Sequence, residues 1–294
     1  MTPDGLLQAY GLLQWSVVLI SNRTMQKLLF CGLLAFVSFP VLALPISSSV
    51  PGGVAVIPLA SAKSAAPVVT FRGKRALVTR ENGQWVALVG LPLSLKPGQY
   101  ELSIQSGTTT QKKFRVADKK YPEQHVTIKD PRKVEPNPED MARIESEQPK
   151  IDIAKNTWRE IDDVDLKLQL PADGPLSSRF GLRRIFNGQP RNPHAGLDIA
   201  IPTGTQVLSA ANGKVIDTGD YFFNGNTVFV DHGQGLITMY CHLSEISVNV
   251  GDVVAKGQPL ALSGMTGRVS GPHLHWSVIM NGTMIDPEIF VGAP

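Results

Sequence analysis

The C-terminal part of the sequence gathers most of the side chains that can bind a metal or transfer a proton. Five of the six histidines follow residue 190, and two of them, His273 and His275, are separated by a single leucine. The adjoining apolar segment, 274–280, predicts a strand. Side chains alternate between the faces of a strand, so both imidazoles should point the same way, roughly 7 Å apart. Such a pair can serve one metal centre as ligand and neighbour, although two half-buried histidines bonded to the backbone would give the same pattern.

A second pair of candidates, His194 and Asp198, lies in the segment HAGLDIA. The Ala195-Gly196 pair between them argues against a helix, so we expect an extended or bent strand start that places both side chains on one face. The alternatives are a turn-capping aspartate and a solvent-exposed histidine.

His242 ends the segment LITMYCH, residues 236–242, which also predicts a strand. Alternation predicts that His242 shares a face with Tyr240 and that Cys241 points to the other side, toward the core. We therefore exclude Cys241 as a metal ligand.

The two remaining histidines have simpler predicted roles. His232 lies between two predicted strands and fits a hairpin turn, and His125 is predicted to be a surface residue. The sequence contains no HExxH zinc motif and no GxSxG serine elbow. A hydrolase with this sequence must therefore use His194, Asp198, His242, His273 and His275.

The elements that position these side chains predict an all-β protein. Residues 46–128 contain short strands separated by turns, which indicate a small N-terminal β-sandwich. Residues 171–294 are β-rich and glycine-dense, and they predict an antiparallel sheet that carries the histidines.

Between these regions lies a polar connector, residues 129–170. Asn137 followed by proline is typical of a helix start, and we expect a short helix that ends near Glu147, before Pro149. Residues 46–165 carry none of the proposed chemistry, and we hypothesise that this N-terminal region partly covers the histidine groove. A passive spacer or a binding module is the alternative.

The composition fits a globular protein of two domains. The 294 residues are 43% hydrophobic and 18% charged, with a formal net charge of +3. The hydrophobic content argues against wholesale disorder. The small net charge, without a run of lysine or arginine, argues against a nucleic-acid partner.

The N-terminal residues predict export. Residues 28–44 are almost wholly apolar, follow a lysine and contain a small-residue cleavage pattern, VLA. We predict that residues 1–43 are a signal peptide with an upstream extension before a start at Met25; an uncleaved anchor is the alternative. Cleavage after Ala43 would leave Cys241 as the only cysteine, which precludes a disulfide within the mature chain.

Three motifs, His194-x-x-x-Asp198, YCHLS at 240–244 and His273-x-His275, occur in this order along the chain. Together they resemble the lysostaphin-like (LytM-type) zinc metalloendopeptidases, which cut peptide cross-links in peptidoglycan. The resemblance covers roughly residues 171–290. Four flanking segments agree with it: SSRFGLR (177–183), VLSAANGKVI (207–216), VFVDHGQGLITMYCHLS (228–244) and GDVVAKGQPLALSG (251–264).

The resemblance implies a role for each of the five residues. His194, Asp198 and His275 would bind one Zn²⁺ per chain, and His242 and His273 would be the catalytic pair outside the metal shell. One of this pair would act as general base, and the other would stabilise the oxyanion or protonate the leaving amine. The implied fold is a duplicated-hybrid-motif-like antiparallel sheet.

The implied function is a cell-wall hydrolase, most simply a D,D-endopeptidase, exported to the periplasm. We expect a D-alanyl–diaminopimelate bond as the target, because the export signal and the single mature cysteine suggest a Gram-negative periplasm; a glycine bridge is the alternative. Peptidoglycan cross-links are then the expected partner, and an envelope regulator or adaptor is compatible with this function. The chain is expected to be a monomer.

Two other interpretations fit the sequence less well. A catalytically silent LytM-type activator of cell-wall amidases would lack metal ligands, whereas all five positions are filled here. A biotinyl or lipoyl carrier hairpin would need a lysine at the turn tip SGMTG, which has none. Many relatives also present a tyrosine near the metal from the loop before the first ligand. Residues 181–193 contain none, which leaves Tyr221 and Tyr240 as candidates.

Overall fold

Short alternating segments in the first half of the chain pair into two small antiparallel sheets. The computed structural model describes residues 44–291, so the predicted signal peptide, 1–43, lies outside the described residues. The strands of this region are β1 (Val54–Ser61), β2 (Val68–Phe71), β3 (Lys74–Arg75), β4 (Leu77–Glu81), β5 (Gln84–Gly90), β6 (Gly98–Ser106) and β7 (Thr108–Val116). One sheet has the order β1-β5-β4 and the other β3-β2-β6-β7.

Both small sheets contribute to one hydrophobic core. Ala55 and Trp85 from the first sheet pack with Phe71 and Leu102 from the second. The predicted N-terminal β-sandwich is therefore confirmed as a fold.

The second half of the chain is dominated by one large antiparallel sheet. Its strands and those of a smaller neighbour are β8 (Glu123–Val126), β9 (Leu176–Ser178), β10 (Arg183–Phe186), β11 (Gln189–Pro190), β12 (Leu197–Ile199), β13 (Gln206–Leu208), β14 (Gly213–Tyr221), β15 (Gly225–Gly233), β16 (Leu236–Ile246), β17 (Val253–Val254), β18 (Pro259–Ser263), β19 (Leu274–Met280) and β20 (Thr283–Ile285). The ten-stranded sheet follows the path β17-β14-β15-β16-β19-β12-β9, with β13, β18 and β20 attached. The smaller sheet has the order β11-β10-β8, in which β8 runs parallel to β10.

Helical structure is confined to three short pieces of the described chain. They are a 3-10 turn (Pro131–Lys133), α1 (Pro138–Lys155) and α2 (Glu288–Val291). Within residues 44–291, no helix has the length and apolar character needed to cross a membrane.

The start of α1 is as predicted, and its predicted end is wrong. The Asn137 side chain caps the helix by accepting a hydrogen bond from the Asp140 backbone N–H at 2.8 Å. Pro149 lies inside the helix, although an interior proline costs about 3 kcal/mol. Contacts on both sides offset this cost: the Glu147 carboxylate accepts a hydrogen bond from the Phe222 backbone N–H, and Ala154 is buried against the large sheet.

The large sheet is buried on both faces. One face carries Tyr240 and Trp276, and its core also includes Val54 and Leu88 from the N-terminal sheets. The other face carries a cluster with Cys241, on which α1 packs. Because residues 44–291 lie within one compact unit, the predicted domain boundaries at 46–128, 129–170 and 171–294 stay predictions.

Candidate metal centre

The register of neighbouring strands brings two predicted site residues together. β12 pairs with β19 so that Asp198 lies opposite His275, and His275 in turn lies opposite Cys241 on β16. Directly paired residues point to the same face of a sheet. Asp198 Oδ1 accordingly lies 2.8 Å from His275 Nδ1. Leu197 and Ile199, on either side of Asp198, are fully buried in the core of the opposite face.

His194 reaches the same point from the bent segment that precedes β12. Its Nε2 atom lies 2.9 Å from Asp198 Oδ1 and 3.0 Å from His275 Nδ1. Its Nδ1 atom lies 2.8 Å from the Arg179 carbonyl oxygen. A carbonyl can only accept, so Nδ1 carries the proton and Nε2 keeps the lone pair that a metal needs.

Gly196 permits this close approach of the two strands. A Cβ atom at this position would lie 2.5 Å from the Trp276 carbonyl oxygen and 2.8 Å from His275 Cε1. Both distances are far inside van der Waals contact. The HAGLD segment therefore needs a glycine at this position, because any side chain would clash with the adjacent strand β19.

The three donor atoms fit a catalytic zinc site. They lie 2.8, 2.9 and 3.0 Å from one another, and a tetrahedral Zn²⁺ with ligands at ~2.0–2.1 Å requires donors roughly 3.3 Å apart. Two imidazole nitrogens and one carboxylate oxygen leave the fourth position open. Among residues 44–291, His194, Asp198 and His275 form the one such cluster of side chains.

Burial and neighbouring charges set the protonation of this cluster. Burial raises the pKa of the Asp198 carboxyl, but its close polar contacts with His194 and His275 outweigh burial and hold that pKa well below its usual range. Burial lowers the pKa of His275 to about 4. At neutral pH the site therefore offers a carboxylate and an uncharged imidazole, which are the forms that bind metal.

His242 and His273 form a second pair beside the three donors. Their ring centres lie 4.8 Å apart, and the His242 ring centre lies 6.0 Å from that of His275. Each Nδ1 atom lies against a backbone carbonyl, that of Thr266 at 2.9 Å and that of Gly271 at 2.8 Å. Each ring therefore keeps an unprotonated Nε2 atom when it is neutral. Burial, with the charge of the neighbouring histidines, lowers the pKa of His242 well below its ordinary value.

His242 does not reach this site by simple strand alternation, and its predicted common face with Tyr240 is wrong. Its φ is +63°. The register between β16 and β15 also shifts here. Val228 lies opposite Tyr240 and Asn226 lies opposite Leu243, so β16 has one extra residue between these two pairs. The resulting bulge turns His242 toward the metal donors, whereas Tyr240 packs in the core of the other face.

Cys241 and the other two histidines do not join the donor cluster. Cys241 is fully buried, and burial raises the pKa of its thiol to about 12, which keeps it protonated. His232 lies within β15 rather than in a turn, and its Nε2 atom is 2.7 Å from Thr238 Oγ1. His125 is exposed on β8, as predicted.

Neither tyrosine candidate offers a hydroxyl to the site. The Tyr240 hydroxyl accepts a hydrogen bond from the Ala210 backbone N–H at 2.9 Å, inside the core. Tyr221 lines a cavity next to the site, but its hydroxyl donates to Asp217. Burial and this carboxylate raise the pKa of Tyr221.

Two arginines that the sequence did not single out also line the site. Arg184 Nη2 donates to Asp198 Oδ2 at 2.6 Å. Arg184 and Arg268 border a cavity of about 270 Å³ that contains His273, and they also border a second cavity of about 360 Å³ beside His275. No spacing rule marks them, because the fold alone brings their loop and strand to the histidines.

Residues that follow β7 in the sequence, at 124–128 and in α1, supply outer walls of these cavities. Residues Gln124, Val126 and Ile128 border the smaller one, and side chains of α1 border the larger one. Among the described residues, none of those in β1 to β7 borders either cavity. Residues 46–165 thus border the groove through residues 124–128 and α1, and the hypothesis that this region covers the groove stays a prediction.

Comparison with known proteins places this geometry in a family. The sequence model described as peptidase family M23 matches residues 192–287, and that of the M23 N-terminal domain matches residues 47–119. The chain is 43% identical over 112 residues to the peptidoglycan DD-endopeptidase ShyA of Vibrio cholerae, which is 38% of this chain and 26% of that protein. It is 38% identical over 112 residues to the DD-carboxypeptidase/endopeptidase Mpg of Neisseria meningitidis, again 38% of this chain and 26% of that protein.

The matched segment thus spans only about a quarter of each of these curated relatives. A solved structure described as a peptidase M23 of Pseudomonas aeruginosa matches a much larger part of this chain. It is 43% identical, covers 86% of this chain and 98% of its own, and superposes with a TM-score of 0.71. With the N-terminal β-domain, the large antiparallel sheet and the histidine–aspartate cluster all in place, the chain belongs to peptidase family M23.

Proposed function

We propose that this protein is a zinc-dependent D,D-endopeptidase that cleaves peptide cross-links of peptidoglycan. The observation that carries the proposal is the convergence of donor atoms from His194, Asp198 and His275 to within 3.0 Å of one another. Two further histidines with unprotonated Nε2 atoms lie next to these donors and border a cavity of about 270 Å³.

His194, Asp198 and His275 would hold one Zn²⁺ per chain. When bound, the ion would supply Lewis acidity for the scissile carbonyl and for a water nucleophile. The protein contributes the fixed tautomer of His194, the low pKa of Asp198 and the restrained orientation of its carboxylate.

His242 and His273 would move the protons. Since each Nδ1 atom donates to a carbonyl, Nε2 is the atom that can accept a proton from the attacking water. The low pKa of His242 keeps its ring neutral, so we assign His242 as the general base. His273 would stabilise the tetrahedral oxyanion or protonate the leaving amine.

The names of the relatives support the class of substrate. ShyA is named as a peptidoglycan DD-endopeptidase and Mpg as a DD-carboxypeptidase/endopeptidase. Because the matched segment is a minor part of those proteins, we propose the same activity for this chain and do not infer it directly from their names. We propose a D-alanyl–diaminopimelate bond as the target, and the periplasm as the location, on the signal pattern of residues 1–43.

Digestion of purified Gram-negative sacculi with the zinc-loaded mature chain tests this function. We expect new D-alanine carboxyl termini and free diaminopimelate amines, identified by mass spectrometry. A chelator should abolish the release and added Zn²⁺ should restore it, while His242→Ala should stay inactive. Sacculi that are cut only after an amidase is added would instead identify a catalytically silent activator.

A further inference from the structure

Arg268 lies at the edge of the catalytic cavity, between two aromatic rings. It lies in the loop between β18 and β19, and its backbone N–H donates to the Phe223 carbonyl at 2.8 Å. The central carbon of its guanidinium lies 4.2 Å from the ring centre of Phe223 and 5.1 Å from that of Phe186. These stacking contacts fix the plane of the guanidinium and leave its N–H donors at the rim of the group.

The guanidinium of Arg268 has no acidic partner within residues 44–291. It takes part in no ion pair there, and the charged groups that act on it most are two more cations, Arg184 and Arg191. Burial and these two cations lower the pKa of Arg268 to about 10. Arg184 differs, because it is paired with Asp198. A half-buried cation beside two others is costly unless an anion joins it.

Arg268 lies where a bound substrate could supply this anion. Arg268, His242 and His273 border the same cavity of about 270 Å³. The one carboxylate on the wall of that cavity is Asp198, which is already bonded to Arg184 and the metal-site histidines. An anionic group of a bound peptide would therefore meet Arg268 while its scissile amide lies at the histidines.

We propose that Arg268 binds a substrate carboxylate located next to the scissile amide, and that it thereby selects the type of cross-link. This inference rests on the proposed function. In a D-alanyl–diaminopimelate cross-link, the carbon that bears the leaving amine also bears a free carboxylate. An arginine can bind such a group through two parallel hydrogen bonds. A glycine bridge, or a cross-link to the side-chain amine of lysine, has no carboxylate at this position.

The sharpest test compares two substrates that differ only in this carboxylate. One is a D-alanyl–diaminopimelate cross-linked dimer, and the other is the same dimer with that carboxylate converted to an amide. For the free acid, Arg268→Gln should lower kcat/KM by roughly 10- to 100-fold, as expected for loss of a charged hydrogen-bond pair. For the amide, wild type should already be slow, and Arg268→Gln should change kcat/KM by less than about 3-fold.

Two further variants control for folding and for charge. Arg80→Gln removes an arginine that also stacks on an aromatic ring, Trp85, but lies in the sandwich, and it should leave kcat/KM unchanged on both substrates. Arg268→Lys keeps the charge without the forked donors, and its activity on the free acid should be intermediate. Thermal unfolding and zinc content establish that each variant is folded and loaded.

Binding separates this inference from the proposed function. In a His242→Ala background, the free acid should bind more tightly than the amide, and Arg268→Gln should remove that difference. Equal binding of the two substrates, or an equal loss on both in Arg268→Gln, overturns the inference whether or not the dimers are cut. If neither dimer is cut but the binding difference is present, the carboxylate site stands and the endopeptidase proposal fails.

Discussion

The guanidinium of Arg184 donates a hydrogen bond to Oδ2 of Asp198 at 2.6 Å, while His194 and His275 both contact Oδ1 of the same carboxylate. The two oxygens of Asp198 thus have separate partners. Arg184 fixes the plane of the carboxylate, so that Oδ1 faces the position proposed for the metal. Partners of this kind orient ligands and raise metal affinity.

We therefore expect Arg184→Gln to weaken zinc binding by roughly 10- to 100-fold, the usual effect of losing such a partner. Competition with a chromophoric chelator measures this affinity. Arg183→Gln is the matched control, because Arg183 is exposed and pairs with Glu123 on β8. Equal zinc affinity in wild type and Arg184→Gln would show that the hydrogen bond does not restrain the ligand.

The five site residues should divide into two groups by zinc content. His194→Ala, Asp198→Ala and His275→Ala should each lose both zinc and activity, because each removes one of three donors. His242→Ala and His273→Ala should keep zinc and lose about 10²- to 10⁴-fold in rate, the usual contribution of general acid–base catalysis. Metal analysis after dialysis, with turnover of cross-linked dimers, decides the assignment. If His242→Ala loses its zinc, our division of roles is wrong.

Gly196→Ala should damage the metal centre without touching a donor atom. The added Cβ would lie 2.5 Å from the Trp276 carbonyl oxygen, so β12 and β19 must separate. We expect a loss of about 1–3 kcal/mol in the free energy of unfolding, together with weaker zinc binding. Urea denaturation and chelator competition measure the two effects. Gly271→Ala, where a Cβ meets nothing within 4 Å, should change neither.

Buried His232 should make the folded protein less stable in mild acid. Burial lowers its pKa in the folded state, whereas the unfolded value is about 6.5. The stability from neutral His232 is present above pH ~6.5 and is lost as the pH falls toward the folded pKa, because only the unfolded state then takes up the proton.

In the zinc-free protein, the free energy of unfolding should therefore fall between pH 7 and pH 5, and His232→Gln should reduce this slope. Denaturant titrations at several pH values measure it. The exposed variant His125→Gln should keep the wild-type slope. An unchanged slope in His232→Gln would mean that other groups carry the pH dependence.

The sequence predicted which side chains gather at the site better than it predicted the backbone geometry that brings them together. Alternation correctly predicted that His273 and His275 reach one site: His275 lies in β19, His273 directly precedes this strand, and both rings approach Asp198 Oδ1, at 2.8 and 3.8 Å respectively. Alternation failed at His242, where a bulge with a positive φ reverses the side-chain direction. No local pattern marks such a bulge, since it depends on pairing with β15.

The two arginines at the site could not be predicted for a related reason. Arg184 and Arg268 lie 84 positions apart in the sequence, and each looks like an ordinary surface arginine beside a turn. The pairing of β10 with β8 and the contact of Arg268 with Phe186 bring them to one cavity. Such tertiary contacts have no signature in a single sequence.

The helix α1 offers a last test of how tertiary contacts override a local rule. Pro149 is exposed in its interior and cannot donate a backbone hydrogen bond to the Glu145 carbonyl. Pro149→Ala restores that donor, so we expect the free energy of unfolding to rise by about 1–3 kcal/mol. Pro138→Ala is the control, because a proline in the first helical turn loses no hydrogen bond and should change stability little. A less stable Pro149→Ala protein would show instead that the backbone conformation at Pro149 is needed to bring Glu147 to the Phe222 backbone N–H.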